Sequence, residues 1–291
     1  MLIGPQVINL PHNAGTESRG LRIYTMRVAA LLLVALSCQA ESADPIDLIR
    51  ESIKAEARNR IKAFSYTHQE YLVRRHLDSK GKETERNSET WDVIALEGST
   101  YRKLILKNDK PLSEKEQKKE DERMQKEQER RKKETASERR RRVFDYSYTY
   151  RIPYPKIPDI YDLKLLREDA IGGRPAYVIE CVPKPAFVPA TPDEKESLNY
   201  RMVLSIDKQD LDPARYELEV TGDHSRLRKG STAKLTRAKV NDDVWLLKET
   251  RVTYGVTVIK MIAVHGEMNT TYSNYKKFQV DSAIVETERI E

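Results

Sequence analysis

Tyr200-Arg201-Met202-Val203-Leu204-Ser205-Ile206-Asp207, followed after a polar break by Arg215-Tyr216-Glu217-Leu218-Glu219-Val220, is the stretch that decides the fold. Tyr200, Met202, Leu204 and Ile206 alternate with Arg201, Val203 and Ser205, and Tyr216, Leu218 and Val220 repeat the pattern. Successive side chains of a strand point to opposite faces, so period-two alternation predicts strands with one buried and one wet face. That is the signature of an antiparallel sheet wrapped over something.

The same period extends in both directions. Downstream it predicts strands over 232–240, 244–254, 256–265 and 271–280. Upstream it predicts strands over 161–167 and 175–183 around the Gly172-Gly173 turn, with a proline-rich loop over 183–192. Further back, residues 65–77, 89–96 and 100–106 read as hairpin strands joined by Ser79-Lys80-Gly81-Lys82 and Glu97-Gly98-Ser99. The period changes only at the start. Ile46, Ile49, Ile53, Ala57 and Ile61 recur at three- and four-residue spacing, which predicts a helix over 46–64 with Asp44 as N-cap and Pro45 at its first position.

Two segments stand apart. Residues 113–142 hold 13 basic and 9 acidic side chains, and only Met124 and Ala136 are clearly apolar. Ser113 and Glu116 form a capping-box pattern, so a helix is predicted, but one polar all round that projects into solvent or is only partly ordered. Its basic end, Arg139 to Arg142, offers contact with an anionic membrane surface. Next, Phe144, Tyr146, Tyr148, Tyr150 and Ile152 alternate strictly, which predicts an extended segment with its aromatics on one face. Such a face covers the core or forms the wall of an apolar cavity.

The amino terminus reads as an export signal. Met26-Arg27, the apolar run over 28–36 and Ser37-Cys38-Gln39-Ala40 match the positive, apolar and small-residue parts of a secretory leader. The apolar run is about nine residues, well short of the roughly 20 that span a membrane. Residues 1–25 show no apolar period, and Met26 is the expected start. Ala35-Leu36-Ser37-Cys38 also resembles a lipobox, which would lipidate Cys38 and anchor the protein to the outer membrane. Cleavage after Ala40 is favoured, and it leaves Cys181 as the single cysteine with no internal disulfide to form. The expected organisation is an extension and leader over 1–40 and one domain over 41–291, located in the periplasm.

Composition narrows the function classes. The chain is 38% hydrophobic and 34% charged, enough for a core with a heavily charged surface. Of the net charge of +6, an excess of four cations sits within 113–142, so no basic face for nucleic acid remains. His68, His76, His224 and His265 stand outside any metal-ligand spacing, and no nucleophile elbow or phosphate-binding glycine loop occurs. Cys181 lies in an apolar strand as a small hydrophobe. Asp207, Asp210 and Asp212 cluster after Ile206, where turn chemistry accounts for them. No enzyme, cofactor or metal site is read from these residues.

Three stretches carry a resemblance. They are Glu168-Asp169-Ala170-Ile171-Gly172-Gly173-Arg174-Pro175-Ala176-Tyr177-Val178-Ile179-Glu180, the strand–turn–strand unit from Tyr200 to Glu219 and Tyr272-Ser273-Asn274-Tyr275-Lys276-Lys277-Phe278. With the order helix, hairpins, glycine-turn hairpin and meander, the chain resembles the LolA/LolB-like lipoprotein carriers and their relative, the RseB-type regulator, over most of 46–285. The resemblance implies a mainly β (α+β) fold: a curved antiparallel sheet forming an incomplete barrel, with helices plugging its concave side. The charged helical insertion over 113–142 departs from that pattern. It further implies that the cavity accepts lipid or lipoprotein acyl chains, with a monomer expected; the alternative is an envelope-stress sensor or scaffold acting through protein contacts. No ligand-contact residue carries over from the family. The alternation itself nominates Tyr146, Tyr148, Tyr150, Met202, Leu204, Tyr216 and Leu218 as the cavity lining.

Overall fold

The structure is a computed structural model that describes residues 43–147, 154–222, 227–257 and 263–278. Its strands are β1 (Tyr66–Leu77), β2 (Glu83–Leu96), β3 (Ser99–Lys107), the two-residue β4 (Lys110–Pro111), β5 (Tyr161–Ile171), β6 (Arg174–Pro183), β7 (Tyr200–Asp207), β8 (Pro213–Val220), β9 (Thr232–Val240), β10 (Val244–Thr257) and β11 (Ala263–Lys277). They form one 11-stranded sheet in the order β4-β3-β2-β1-β11-β10-β9-β8-β7-β6-β5. Every pairing is antiparallel. Two meanders therefore meet where β1 lies beside β11, and β4 and β5 end the sheet at opposite edges. The sheet is open.

Helix α1 (Pro45–Ala63) precedes β1 and follows the expected cap: Asp44 Oδ1 accepts from Ile46 N at 2.8 Å, with Pro45 opening the first turn. The face it buries differs from the predicted stripe. Ile49, Ser52, Ala55 and Asn59 are buried, whereas Ile46 and Ala57 are exposed. Serine and asparagine are tolerated there because each hydrogen-bonds a partner. Ile49 joins the main core with Ile157, Ile160, Tyr161, Ile179, Cys181, Met202, Leu204 and Ile206. Tyr154–Lys156 form a single 3₁₀ turn ahead of α4 (Ile157–Ile160), whose Ile157 and Ile160 are fully buried. These isoleucines press the connection from one sheet edge to the other against α1 and the β6–β7 face.

The charged helix is a correction. Helix α2 (Glu114–Lys132) forms with the predicted Ser113–Glu116 capping box, but it does not project freely. It lies along β3 beyond the point where β4 pairs, since β4 meets β3 only at Leu106 and Lys107. Glu120 Oε1 accepts from Leu104 N at 3.2 Å, Arg123 Nη2 donates to Arg102 O at 2.6 Å, and Arg131 Nη2 donates to Thr100 O at 3.1 Å. Thr100, Arg102 and Leu104 share one phase of the strand, so their main-chain groups all face its outer side. Arg123 also lies over the Tyr101 ring at 5.0 Å. The helix is held by charged heads on backbone groups and by stems against aromatics, a mode of burial that a hydropathy pattern does not register.

Two further expectations are corrected. Residues from Val143 to Ser147 belong to α3 (Ala136–Ser147) and not to a strand, because the helix begun among the arginines continues into the aromatic alternation. Beyond the proline-rich loop lies α5 (Pro192–Ser197), a short helix that was not predicted, capped by a Thr191–Glu194 capping box. The strands predicted over 244–254, 256–265 and 271–280 are two long ones, β10 and β11. The predicted strand ends fall next to Gly255 and Gly266, but both glycines sit inside strands, and Gly266 pairs directly with Tyr254. A Cβ at Gly266 would meet Tyr254 Oη at 2.6 Å and Arg75 O at 2.8 Å. The Tyr254 side chain fills the space of the absent one, so the glycine accommodates a neighbour and does not end the strand.

Candidate ligand cavity

A cavity of about 320 Å³ lies between α1, the 3₁₀ turn and the inner face of the sheet. Its wall draws on seven strands between β3 (Thr100) and β7 (Met202), which stand at the two ends of a run of eight strands in the sheet. At ~4.8 Å between neighbours a flat sheet would separate those strands by about 34 Å. They reach one small cavity because the sheet curls around α1.

Ile53 supplies apolar wall from the helix, and Met202, Leu218, Leu235, Leu246 and Leu247 supply it from the sheet. Aromatic side chains complete it, and three of them turn their polar tips to protein partners. Tyr154 Oη and Ser52 Oγ share a hydrogen bond of 2.8 Å, Tyr275 Oη donates to Leu247 O at 2.6 Å, and Trp245 Nε1 donates to Asp210 Oδ2 at 2.9 Å. The rings of Tyr154 and Tyr216 meet edge to face at 5.8 Å. Tyr154, Trp245 and Tyr275 thus show carbon to the interior and keep their polar tips bonded elsewhere.

Two charged clusters border this surface. Arg237, almost wholly buried, pairs with Glu56 of α1 and also donates to Pro213 O at 3.2 Å and Trp245 O at 3.1 Å. Burial works against its charge, yet the Glu56 carboxylate overcomes this and holds the guanidinium more firmly protonated than usual. Asp212 lies close by with Oδ1 buried and without a hydrogen-bond partner. Burial, reinforced by Glu56 and Asp210, pushes its carboxyl up to about 6 despite Arg237. On the opposite side, His68 Nε2 lies 3.3 Å from Glu70 Oε1, and Arg102 Nη2 lies 2.6 Å from Glu70 Oε2. Burial would raise the Glu70 carboxyl, but His68 and Arg102 bring it below the ordinary range.

Of the residues nominated from sequence, Met202, Tyr216 and Leu218 line the cavity. Leu204 sits in the solid core behind it with no exposure. Tyr146 lies in α3, while Tyr148 and Tyr150 fall outside the described residues, as do the leader and Cys38. Cys181 is buried in the core, and burial pushes its thiol up to about 12. Asp207 closes its turn by accepting from Gln209 N at 3.0 Å and Asp210 N at 2.8 Å. Sequence reasoning missed Ser52, Glu56 and Asn59. Their spacing of four and three residues put a second, polar stripe beside the isoleucine stripe of α1, and that was the available signal.

Among the described residues no group of three or more His, Cys, Asp or Glu converges as a metal site, and no helix is long and apolar enough to cross a membrane.

Fold and cavity together define an open antiparallel sheet curled around a helix-covered apolar chamber. No family model matches the sequence, and no curated protein matches it. Solved structures with a similar architecture include a putative outer membrane lipoprotein-sorting protein domain from Vibrio parahaemolyticus, at 11% identity over 82% of this chain and 98% of that one, with a TM-score of 0.34. A LolA superfamily protein from Nitrosomonas europaea aligns at 10% identity over 80% and 96%, with a TM-score of 0.30. The MucA/MucB complex of Pseudomonas aeruginosa aligns at 11% identity over 82% and 100%, with a TM-score of 0.25. The likeness is one of architecture alone.

Proposed function

We propose that this protein binds the acyl chain of a lipid or lipoprotein in the chamber beneath α1 and acts as a carrier in the bacterial envelope. The observation that carries this reading is the orientation of the aromatic wall. Tyr154 shares a hydrogen bond with Ser52, while Trp245 and Tyr275 donate to Asp210 and the Leu247 carbonyl. Glu56 and Arg237 neutralise one another at the border. What remains toward the interior is mostly carbon, and an apolar chamber with few converging polar groups suits a hydrocarbon ligand. Export through the leader over 26–40 is the matching localisation, and the carrier role is the one that the sequence resemblance implies.

Delipidated protein mixed with a fluorescent fatty acid tests the proposal. Saturable uptake, with a blue-shifted probe and loss of uptake in Leu218→Arg, is the expected result. A well-folded protein that takes up no probe would end the reading.

A further inference from the structure

The chamber's dimensions specify the ligand more narrowly than its polarity does. We infer that it takes a single acyl chain and buries about ten carbons of it, leaving the second chain of a two-chained lipid outside. This rests on the acyl-binding reading above.

A methylene occupies roughly 30 Å³, about the share of liquid volume that one water takes. A cavity of about 320 Å³ therefore accommodates roughly ten of them. Ile157 and Met202, with 0% and 2% exposure, form part of the wall and are backed by the solid core of Leu204 and Ile179. Close-packed interiors resist expansion, so a longer chain cannot advance by pushing these side chains aside without strain. At the outer border Ala57 and Pro155 are exposed, which marks where the chain leaves the protein. Carbons beyond that point stay in water and add nothing.

Chain-length dependence is the consequence. Each buried methylene should tighten binding about fourfold, the factor that corresponds to ~0.8 kcal/mol of transfer free energy. The gain should stop once the chamber is full.

The experiment is displacement of the fluorescent probe by monoacyl glycerophosphocholines of six to sixteen carbons, each below its critical micelle concentration, alongside a diacyl glycerophosphocholine with eight carbons per chain. Affinity that climbs steeply and then flattens near ten carbons, with the eight-carbon diacyl lipid no tighter than its monoacyl counterpart, is expected. Affinity that keeps climbing to sixteen carbons, or gains from the second chain, would overturn the one-chain inference and leave acyl binding intact. Absence of displacement at every length would overturn both. Met202→Ala enlarges the chamber at its core-facing wall and should move the plateau to longer chains. An unmoved plateau in a folded variant also counts against the inference.

Discussion

Asn59 and Trp245 exchange two hydrogen bonds: the Asn59 amide donates from Nδ2 to Trp245 O at 2.8 Å and accepts from Trp245 N at 2.7 Å. Strand β11 pairs with β10 only from Glu249 onward, so the main chain at Trp245 has no strand partner on that side. The Asn59 side chain takes the place of the missing peptide unit. Tyr275 does the same two residues further on, donating to Leu247 O. Helix α1 is thereby fastened to the sheet through the backbone of a cavity-lining strand, and buried main-chain groups are satisfied in the process.

Asn59→Ala should consequently cost about 1–3 kcal/mol, since it leaves the buried Trp245 N–H without a partner, while the Trp245 carbonyl keeps the Arg237 guanidinium. Asn59→Asp keeps the acceptor and loses the donor, and it adds a buried charge. Urea unfolding measures both. A loss below about 0.5 kcal/mol for the alanine variant would mean that the amide contributes no more than an exposed one.

Helix α2 leads to an expectation about the sheet edge. Without it, Thr100, Arg102 and Leu104 would present open backbone groups along β3, a template for pairing with another copy. Replacing residues 113–142 by a short glycine-serine linker should produce concentration-dependent association beyond that of the parent, read by size-exclusion chromatography with light scattering. A milder form of the test is Glu120→Ala, which should speed amide exchange at Leu104 while Glu120→Gln preserves its protection. If the deletion variant matches the parent in size and stability, α2 is a passive attachment.

The contrast between α1 and α2 explains how far the sequence could be read. Strand alternation depends on burial of one face, and β7 to β9 were legible because Met202, Leu204, Tyr216, Leu218 and Leu235 advertise it directly. The capping chemistry of α1 and α2 was equally local and equally readable. Contacts made by polar side chains on distant backbone were not. Asn59 on Trp245 and Arg131 on Thr100 look in the sequence like two more solvent-facing residues. Strand ends at glycine were misjudged for a related reason, because the need for Gly266 is set by Tyr254 across the ladder. The cavity was half visible: Met202, Tyr216 and Leu218 follow from the alternation, while Tyr154, Trp245 and Tyr275 depend on how the sheet curls.

Gly266→Ala follows from that ladder geometry. The new methyl would meet the Tyr254 hydroxyl at 2.6 Å and the Arg75 carbonyl at 2.8 Å. The tyrosine side chain can swing away, but the carbonyl belongs to the β1 backbone and cannot move freely. Destabilisation of about 1–3 kcal/mol is expected, as for other overpacked sites. Thermal melting detects it as a drop in Tm. An unchanged Tm would show that β1 and β11 separate more easily there than their pairing suggests.

Asp212 gives a pH dependence of definite sign. Its carboxyl titrates near 6 in the folded protein against an ordinary value of 3.8, because burial disfavours the charge and Glu56 and Asp210 add repulsion. An acid whose folded value is raised burdens the native state when ionised. The penalty is absent below about pH 3.8, grows between there and pH 6, and is fully present above, where a shift of this size corresponds to about 3 kcal/mol. Asp212→Asn removes it while keeping the shape. The variant should therefore be more stable than the parent at pH 7.5, with the advantage shrinking steadily as the pH falls from 6 to 4. Guanidinium unfolding of both proteins across that range measures the difference directly, and common carboxylates elsewhere in the chain cancel. A stability difference that is flat with pH would mean that Asp212 titrates at its ordinary value and that Arg237 neutralises it after all.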